Sequence, residues 1–240
     1  MKRTLLGLFL AGVSTSAFAS FTETFDDLGD SSVSAQPITP LIGRGWSNNN
    51  LSNPVGALTY FGGNSLVFGP QAGANYVAVN FNSGGGVSTL SNWLISPLQT
   101  FNNGDVISFW TRTVDSPFFP DRLQLRLSTA GSSTNVGASE TSVGDFTGLL
   151  LDINPTYLAS GAGSYPNAWT QFNATVTGLG GPTSGRFAFR YFVENGGPSG
   201  DNSDFIGIDT VSVTSAPVPE PASMAALGLG ILAFARRRRK

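Results

Sequence analysis

Between residues 20 and 214, apolar and polar positions repeatedly alternate with a period of two. In the segment 121–128, Leu123, Leu125 and Leu127 fall on one side, and Arg122, Gln124, Arg126 and Ser128 on the other. In 186–194, Phe187, Phe189, Tyr191 and Val193 share a side. Successive side chains of an extended strand point to opposite faces, so this pattern predicts half-buried β-strands. Segments 75–81, 106–113 and 169–177, rich in β-branched and aromatic residues, predict further strands, as do 21–25, 58–61, 65–68, 90–96, 147–153 and 205–213. No long window has the helical period; residues 155–160 suit one helical turn. Clusters of Asn, Gly and Pro at 82–86, 102–104, 178–182 and 195–200 read as turns. The expectation is an all-β chain, folded as a single jelly-roll-like antiparallel β-sandwich over residues 20–214.

Composition narrows the chemistry. The 240 residues suit one all-β domain, and 40% hydrophobic content with 18 Phe, 5 Tyr and 4 Trp supplies one sizeable core. There is no histidine, so no imidazole base and no Ser-His-Asp arrangement. There is no cysteine, which removes disulfides, thiolate nucleophiles and thiolate-ligated metals. A metal site would have to use oxygen ligands, which favours calcium, magnesium or manganese.

Charge divides the chain into three. The formal net charge is -2, but residues 20–218 contain six arginines, no lysine and fourteen carboxylates, a net of -8. Affinity for phosphate comes mainly from Lys and Arg, so this region is not a nucleic-acid binder. The other cations lie at the two ends. At the N-terminus, Lys2 and Arg3 precede an apolar run from Thr4 to Val13 and the small-x-small site Ala17-Phe18-Ala19. This reads as a secretory signal peptide, residues 1–19, with signal peptidase cutting after Ala19 to leave Ser20 first. At the C-terminus, residues 215–240 run from a Pro-rich stretch through the apolar 222–235 to Arg236, Arg237, Arg238, Arg239 and Lys240. Fourteen helical residues span ~21 Å. That is short against a ~30 Å bilayer core, so the expectation is a short hydrophobic helix giving transient membrane anchoring, with its cations cytoplasmic.

Val218-Pro219-Glu220-Pro221, followed by that apolar segment and the basic end, resembles the PEP-CTERM sorting signal of Gram-negative bacteria. The resemblance implies that exosortase, a membrane protease-transpeptidase, recognises Pro219, Glu220 and Pro221 and removes the tail.

A second resemblance spans residues 20–214. It rests on Glu23-Thr24-Phe25-Asp26, Gly45-Trp46, Asn92-Trp93-Leu94-Ile95-Ser96-Pro97, Ser108-Phe109-Trp110-Thr111-Arg112, Asp121-Arg122-Leu123 and Phe205-Ile206-Gly207-Ile208-Asp209. In this order they resemble the choice-of-anchor J domain, related to the cleaved adhesin domains of bacterial surface proteins. The resemblance implies a jelly-roll sandwich on exported proteins with varied C-terminal anchors, and no known enzymatic activity. It also implies that carboxylates from the first and last strands meet at a structural calcium, with Glu23, Asp26 and Asp209 as ligands; alternatively, these acids serve turns, where Asp side chains satisfy nearby backbone.

Exposed aromatics stack on sugar rings, and the sequence offers Trp46 and the Pro-flanked pair Phe118 and Phe119 as ligand-binding candidates. Only three of the carboxylates in 20–218 are Glu, and nothing marks an acid–nucleophile pair. The sequence therefore points to an exported, non-enzymatic surface or matrix protein that binds extracellular polysaccharide, located at the cell surface or in the extracellular matrix. The alternatives are a carbohydrate-active hydrolase and a purely structural envelope component.

Overall fold

The computed structural model describes residues 19–215, with Ala19 and Ser20 described by backbone alone. The signal-peptide expectation (Ala17 and the run before it), the sorting motif, the C-terminal helix and the basic tail lie outside the described residues. Among the described residues no helix is long and apolar enough to cross a membrane.

Among the described residues, thirteen strands form two antiparallel sheets, one of six strands and one of seven. In the first, β13 (Phe205–Thr214) is central, with β8 (Val106–Thr113) along one edge and β11 (Thr170–Thr175) beyond it. Along its other edge two partners lie end to end: β5 (Val77–Asn80) on 205–208 and β1 (Ala19–Glu23) on 211–214. β4 (Phe61–Gly62) follows β5. In the second sheet β12 (Thr183–Gly196) lies between β9 (Leu123–Ser128) and β6 (Gly84–Ile95), with β10 (Gly148–Ile153) at one edge. Three short strands complete it: β2 (Ser47–Asn50) and β3 (Asn53–Val55) on β6, and β7 (Gln99–Phe101) on β12.

The alternation places the core as expected. Leu123, Leu125 and Leu127 meet Phe187, Phe189, Tyr191, Val193, Ile206 and Ile208 between the sheets, all buried. The opposite faces are not simply solvated. Loop 129–147 covers the outer face of the seven-stranded sheet, where Val136 and Phe146 pack with Trp93, Ile95 and Ala188. Gln124, Ser128 and Arg190, on the polar side of the alternation, are therefore buried. The Arg190 guanidinium lies 4.9 Å from the Trp93 ring centroid and 3.9 Å from that of Phe192. It bonds Ser91 Oγ at 3.1 Å, so hydrogen bonds and cation–π contact offset its desolvation. On the six-stranded sheet, loop 63–76 lays Phe68 and Tyr76 over β13. Gly207 makes room for them: a Cβ there would stand 2.8 Å from both rings.

Three local expectations are corrected. Residues 155–160 form a turn, and the helix is instead the short α1 (Thr39–Gly43), begun by Pro40. Segment 65–68 turns because Asn64 Oδ1 accepts from Leu66 N and Asn64 O from Val67 N. The glycines at 84–86 open β6, after the 3-10 turn Phe81–Ser83. A Cβ on Gly84 would lie 2.4 Å from Leu90 Cδ2, so only glycine fits there.

Candidate binding site

The start of β13 and the pairing of Ala19 with Thr214 mark opposite ends of the sandwich. Ala19 pairs with Thr214, whereas Phe205, nine residues earlier, pairs with Asn80. At ~3.3 Å per residue the two ends are ~30 Å apart.

At the end away from Ala19 and Thr214, loop 31–35, the 64–67 turn and residues 80–81, 114 and 204–205 converge, with the loop that follows β8 beside them. Loop 31–35 is tied to the sheet by the Ser31 N to Gly63 O bond at 2.8 Å and the Gln36 N to Ser31 Oγ bond at 2.9 Å. The 64–67 turn is joined to loop 31–35 through Asp30, whose carboxylate accepts from Ser65 N and Ser65 Oγ. The loop following β8 carries Phe118 and Phe119, and Pro120 O holds Ser203 N at 3.0 Å. Between them lies a cleft of about 490 Å³, walled by Val33, Leu58, Phe61, Val67, Phe81 and Phe205, with Asn64, Asn80 and Asp204 as its larger polar groups. A smaller hollow of about 160 Å³, lined by Phe119, Pro198 and Ser203, adjoins it and shares Phe81 and Asp204. The volume and apolar lining suit a small ligand or one stretch of a polymer.

Asp204 sits at the junction of the two. Its backbone is fixed on both sides: its N–H donates to Asp121 Oδ1 at 2.8 Å and its carbonyl accepts from Phe81 N at 3.0 Å. Burial raises its carboxyl above the usual range, partly opposed by the Phe118 N–H. Behind it Asp121 is fully buried and bonded by Thr113 Oγ1 at 2.6 Å and by the Tyr191 hydroxyl. Burial pushes Asp121 up to about 6. Asp121 is thus an internal strut, and Asp204 is the one carboxylate lining the cleft. The side-chain amide nitrogens of Asn64 and Asn80 donate to no other residue among those described; their oxygens are engaged by Leu66 N and Asn82 N.

Of the aromatic candidates, Phe118 is 85% and Phe119 41% exposed, with Phe119 in the wall of the smaller hollow. Their ring centroids are 6.2 Å apart. Trp46 is a correction: it is 2% exposed, packed against Phe21, Phe25 and Phe187, with its indole N–H donating to Glu23 Oε2 at 3.1 Å. It has no free face for a sugar ring.

The proposed calcium ligands are not gathered on one point. Glu23 accepts Arg44 Nε and Nη2, each at 3.0 Å, as well as Trp46 Nε1 and Phe25 N. Asp27 shares the same guanidinium, whose pKa rises further as a result. A carboxylate already paired with a cation is poorly disposed toward a second one. Asp26 and Asp209 do share one loop, residues 71–74. Ala74 N donates to Asp26 Oδ1 at 2.5 Å, and Gln71 N and Ala72 N to Asp209 Oδ2 at 2.8 and 3.2 Å. Gly73 permits this, with φ +66° and no room for a Cβ beside Asp26. Asp209 lies where the partner of β13 changes from β5 to β1, and its carboxylate takes up backbone donors there. Among the described residues no group of three or more His, Cys, Asp or Glu side chains is placed to hold a metal ion. The set Glu23, Asp26 and Asp209, as arranged, does not fit calcium.

Sequence reasoning missed Phe81, Val67 and Asn80 as cleft residues. They come from two separate segments, the 64–67 turn and the end of β5, and no local signal marks them.

An antiparallel β-sandwich with a C-terminal sorting signal is the class that fold and sequence define. Residues 217–240 match the family model described as the PEP-CTERM protein-sorting motif. No curated protein matches the chain. Among solved structures, the K2 cleaved adhesin domain of Lys-gingipain is 19% identical, with 82% of this chain and 98% of that one covered and a TM-score of 0.52. The K1 domain of the same protein, from Porphyromonas gingivalis W83, is also 19% identical over the same shares, with a TM-score of 0.51. The K3 domain is 15% identical over 83% and 100%, with a TM-score of 0.50. At these identities the likeness is one of fold.

Proposed function

We propose that this chain is an exported, non-enzymatic surface or extracellular-matrix module that holds polysaccharide in the distal cleft, its tail being removed by exosortase. The carrying observation is the cleft: apolar walls, an adjoining hollow lined by the exposed Phe119, and convergent polar groups, two of them with amide nitrogens that donate to no other described residue. Its position supports the reading. β13 ends at Thr214, at the opposite end, and the sorting motif begins three residues later in the sequence, so a tether acting through that motif would present the cleft outward. The similar gingipain domains are named cleaved adhesin domains, which accords with a surface-binding role. A glycosidase needs two carboxylates facing one bond. Here Asp204 faces the cleft alone and Asp121 is sealed behind it, which supports a non-catalytic module.

The test is a glycan array probed with the mature protein from its native host, whose intact mass also reports whether residues after the motif are gone. Binding to at least one polysaccharide, reduced by Phe119→Ala, is expected. Silence across the array would sink the reading.

A further inference from the structure

From the charges around the cleft we infer that it selects uncharged glycan segments and rejects uronate-bearing or sulfated ones; this rests on the polysaccharide-binding reading above. A carboxylate or sulfate on a ligand is normally met by Arg or Lys, because charge-assisted hydrogen bonds offset its desolvation. Residues 20–218 hold no lysine and six arginines. None of the six lines the cleft.

Each arginine is committed elsewhere. Arg44 is held by Glu23 and Asp27. Arg112 bonds Asp115 and the carbonyl of Asn167, with its guanidinium over Phe68. Arg122 binds Asp152 through Nε and Nη2. Arg126 reaches Gln124 and the Phe146 carbonyl; Arg186 takes the Ser96 carbonyl; Arg190 bonds Ser91 under loop 129–147. Moving one to the cleft would undo a packed sheet face or an ion pair.

What the cleft offers suits hydroxyls. A sugar hydroxyl both donates and accepts, and the cleft presents two amide donors, Asn64 and Asn80, with one carboxylate acceptor, Asp204. The apolar walls and Phe119 supply the face on which the C–H side of a pyranose rests. An anionic ligand would meet Asp204 at short range and the net charge of -8 beyond it.

The experiment is calorimetric titration of the full mature domain with paired oligosaccharides. Neutral xylo-, manno- and cello-oligosaccharides are compared with oligogalacturonate and a sulfated oligosaccharide of similar length. A neutral series is expected to bind, and the anionic ones to bind at least about tenfold more weakly at low salt. Asp204→Asn should narrow that gap, and Asn64→Asp, which adds a charge without touching Asp204, should widen it; melting midpoints show that both are folded. Equal affinity for neutral and anionic ligands, or a gap unmoved by both variants, overturns the selectivity and leaves the polysaccharide reading standing. If neither class binds, the polysaccharide reading falls and the selectivity falls with it.

Discussion

The two ends of the sandwich use the same residue types to opposite effect. At the end where Ala19 meets Thr214, an aromatic ring and a carboxylate face each other. Trp46 donates to Glu23, Arg44 closes over both Glu23 and Asp27, and Phe21, Phe25 and Phe187 pack around the indole at centroid distances of 5.8 to 6.0 Å. At the distal end, Phe118 and Phe119 stand outside the core, and Asp204 opens to a cleft without a cation. Buried polar groups normally find partners because leaving them unpaired costs about 1–3 kcal/mol. Where the chain has paired its own groups, it has built a clasp that ties β1 to Arg44 and Trp46 and to β12. Where it has left them facing water, it has kept them for something else.

The sharpest way to break this contrast is at Trp46. Trp46→Ala removes a large buried ring and strips Glu23 of a donor, with an expected loss of about 3–5 kcal/mol in denaturant unfolding. Trp46→Phe keeps most of the apolar volume and loses the hydrogen bond, for a smaller loss of about 1–3 kcal/mol. Glycan affinity of the folded fraction should be unchanged in both. Lost binding in folded Trp46→Phe protein would show the two ends to be coupled.

A change of pH separates a different pair of sites. Burial pushes both Asp121 and Asp209 up to about 6 from the ordinary 3.8. A carboxyl raised in the folded state stabilises the fold fully below 3.8, and that contribution is lost as pH rises through 6. Asp26, Asp27 and Asp30 run the other way. Hydrogen bonds from Ala74, Arg44 and Ser65 respectively hold them below 3.8, so their contribution is present above that value and is lost as pH falls further. The melting midpoint should therefore climb by several degrees from pH 7.5 to about pH 5, then fall below about pH 4. Asp121→Asn should flatten the rise, and a flat profile in the parent protein would refute the assignment.

The sandwich was readable because its central strands keep a period of two, interrupted in β13 by the bulge between Asp209 and Ser212. The inward faces of β8, β9, β12 and β13 carry the Leu, Phe, Tyr and Ile positions that the alternation picks out. The short strands were not readable. Ser47–Asn50 is a polar run that becomes β2 only because the backbone of β6 is there to pair with. Covered outer faces were equally hidden: nothing near Arg190 announces that loop 129–147 will lie across it. At the distal cleft the Pro-flanked Phe118-Phe119 pair stood out in the sequence, whereas Phe81 and Asp204 are 123 positions apart and meet only through the Phe81 N to Asp204 O bond. Trp46 looked like a loop aromatic beside Gly45; its burial follows from Glu23, more than twenty positions earlier.

The smallest expected effect on stability is at Phe118, and it is the most telling for the distal end. At 85% exposure its ring contributes little to the fold, so Phe118→Ser should move the melting midpoint by a degree or so. Phe119, at 41%, keeps part of its surface against the hollow shared with Pro198 and Ser203, so Phe119→Ala should cost somewhat more. For binding, the order of sizes reverses relative to the clasp. A stacking aromatic is worth about 1–3 kcal/mol, or roughly a factor of 5–150 in affinity, by analogy with ring stacking elsewhere. A Phe118→Ser protein that melts like its parent and binds neutral glycan equally well would confine recognition to the cleft floor of Phe81, Asn80 and Asp204. One that melts like its parent and binds more weakly would place the exposed pair in the recognition surface itself.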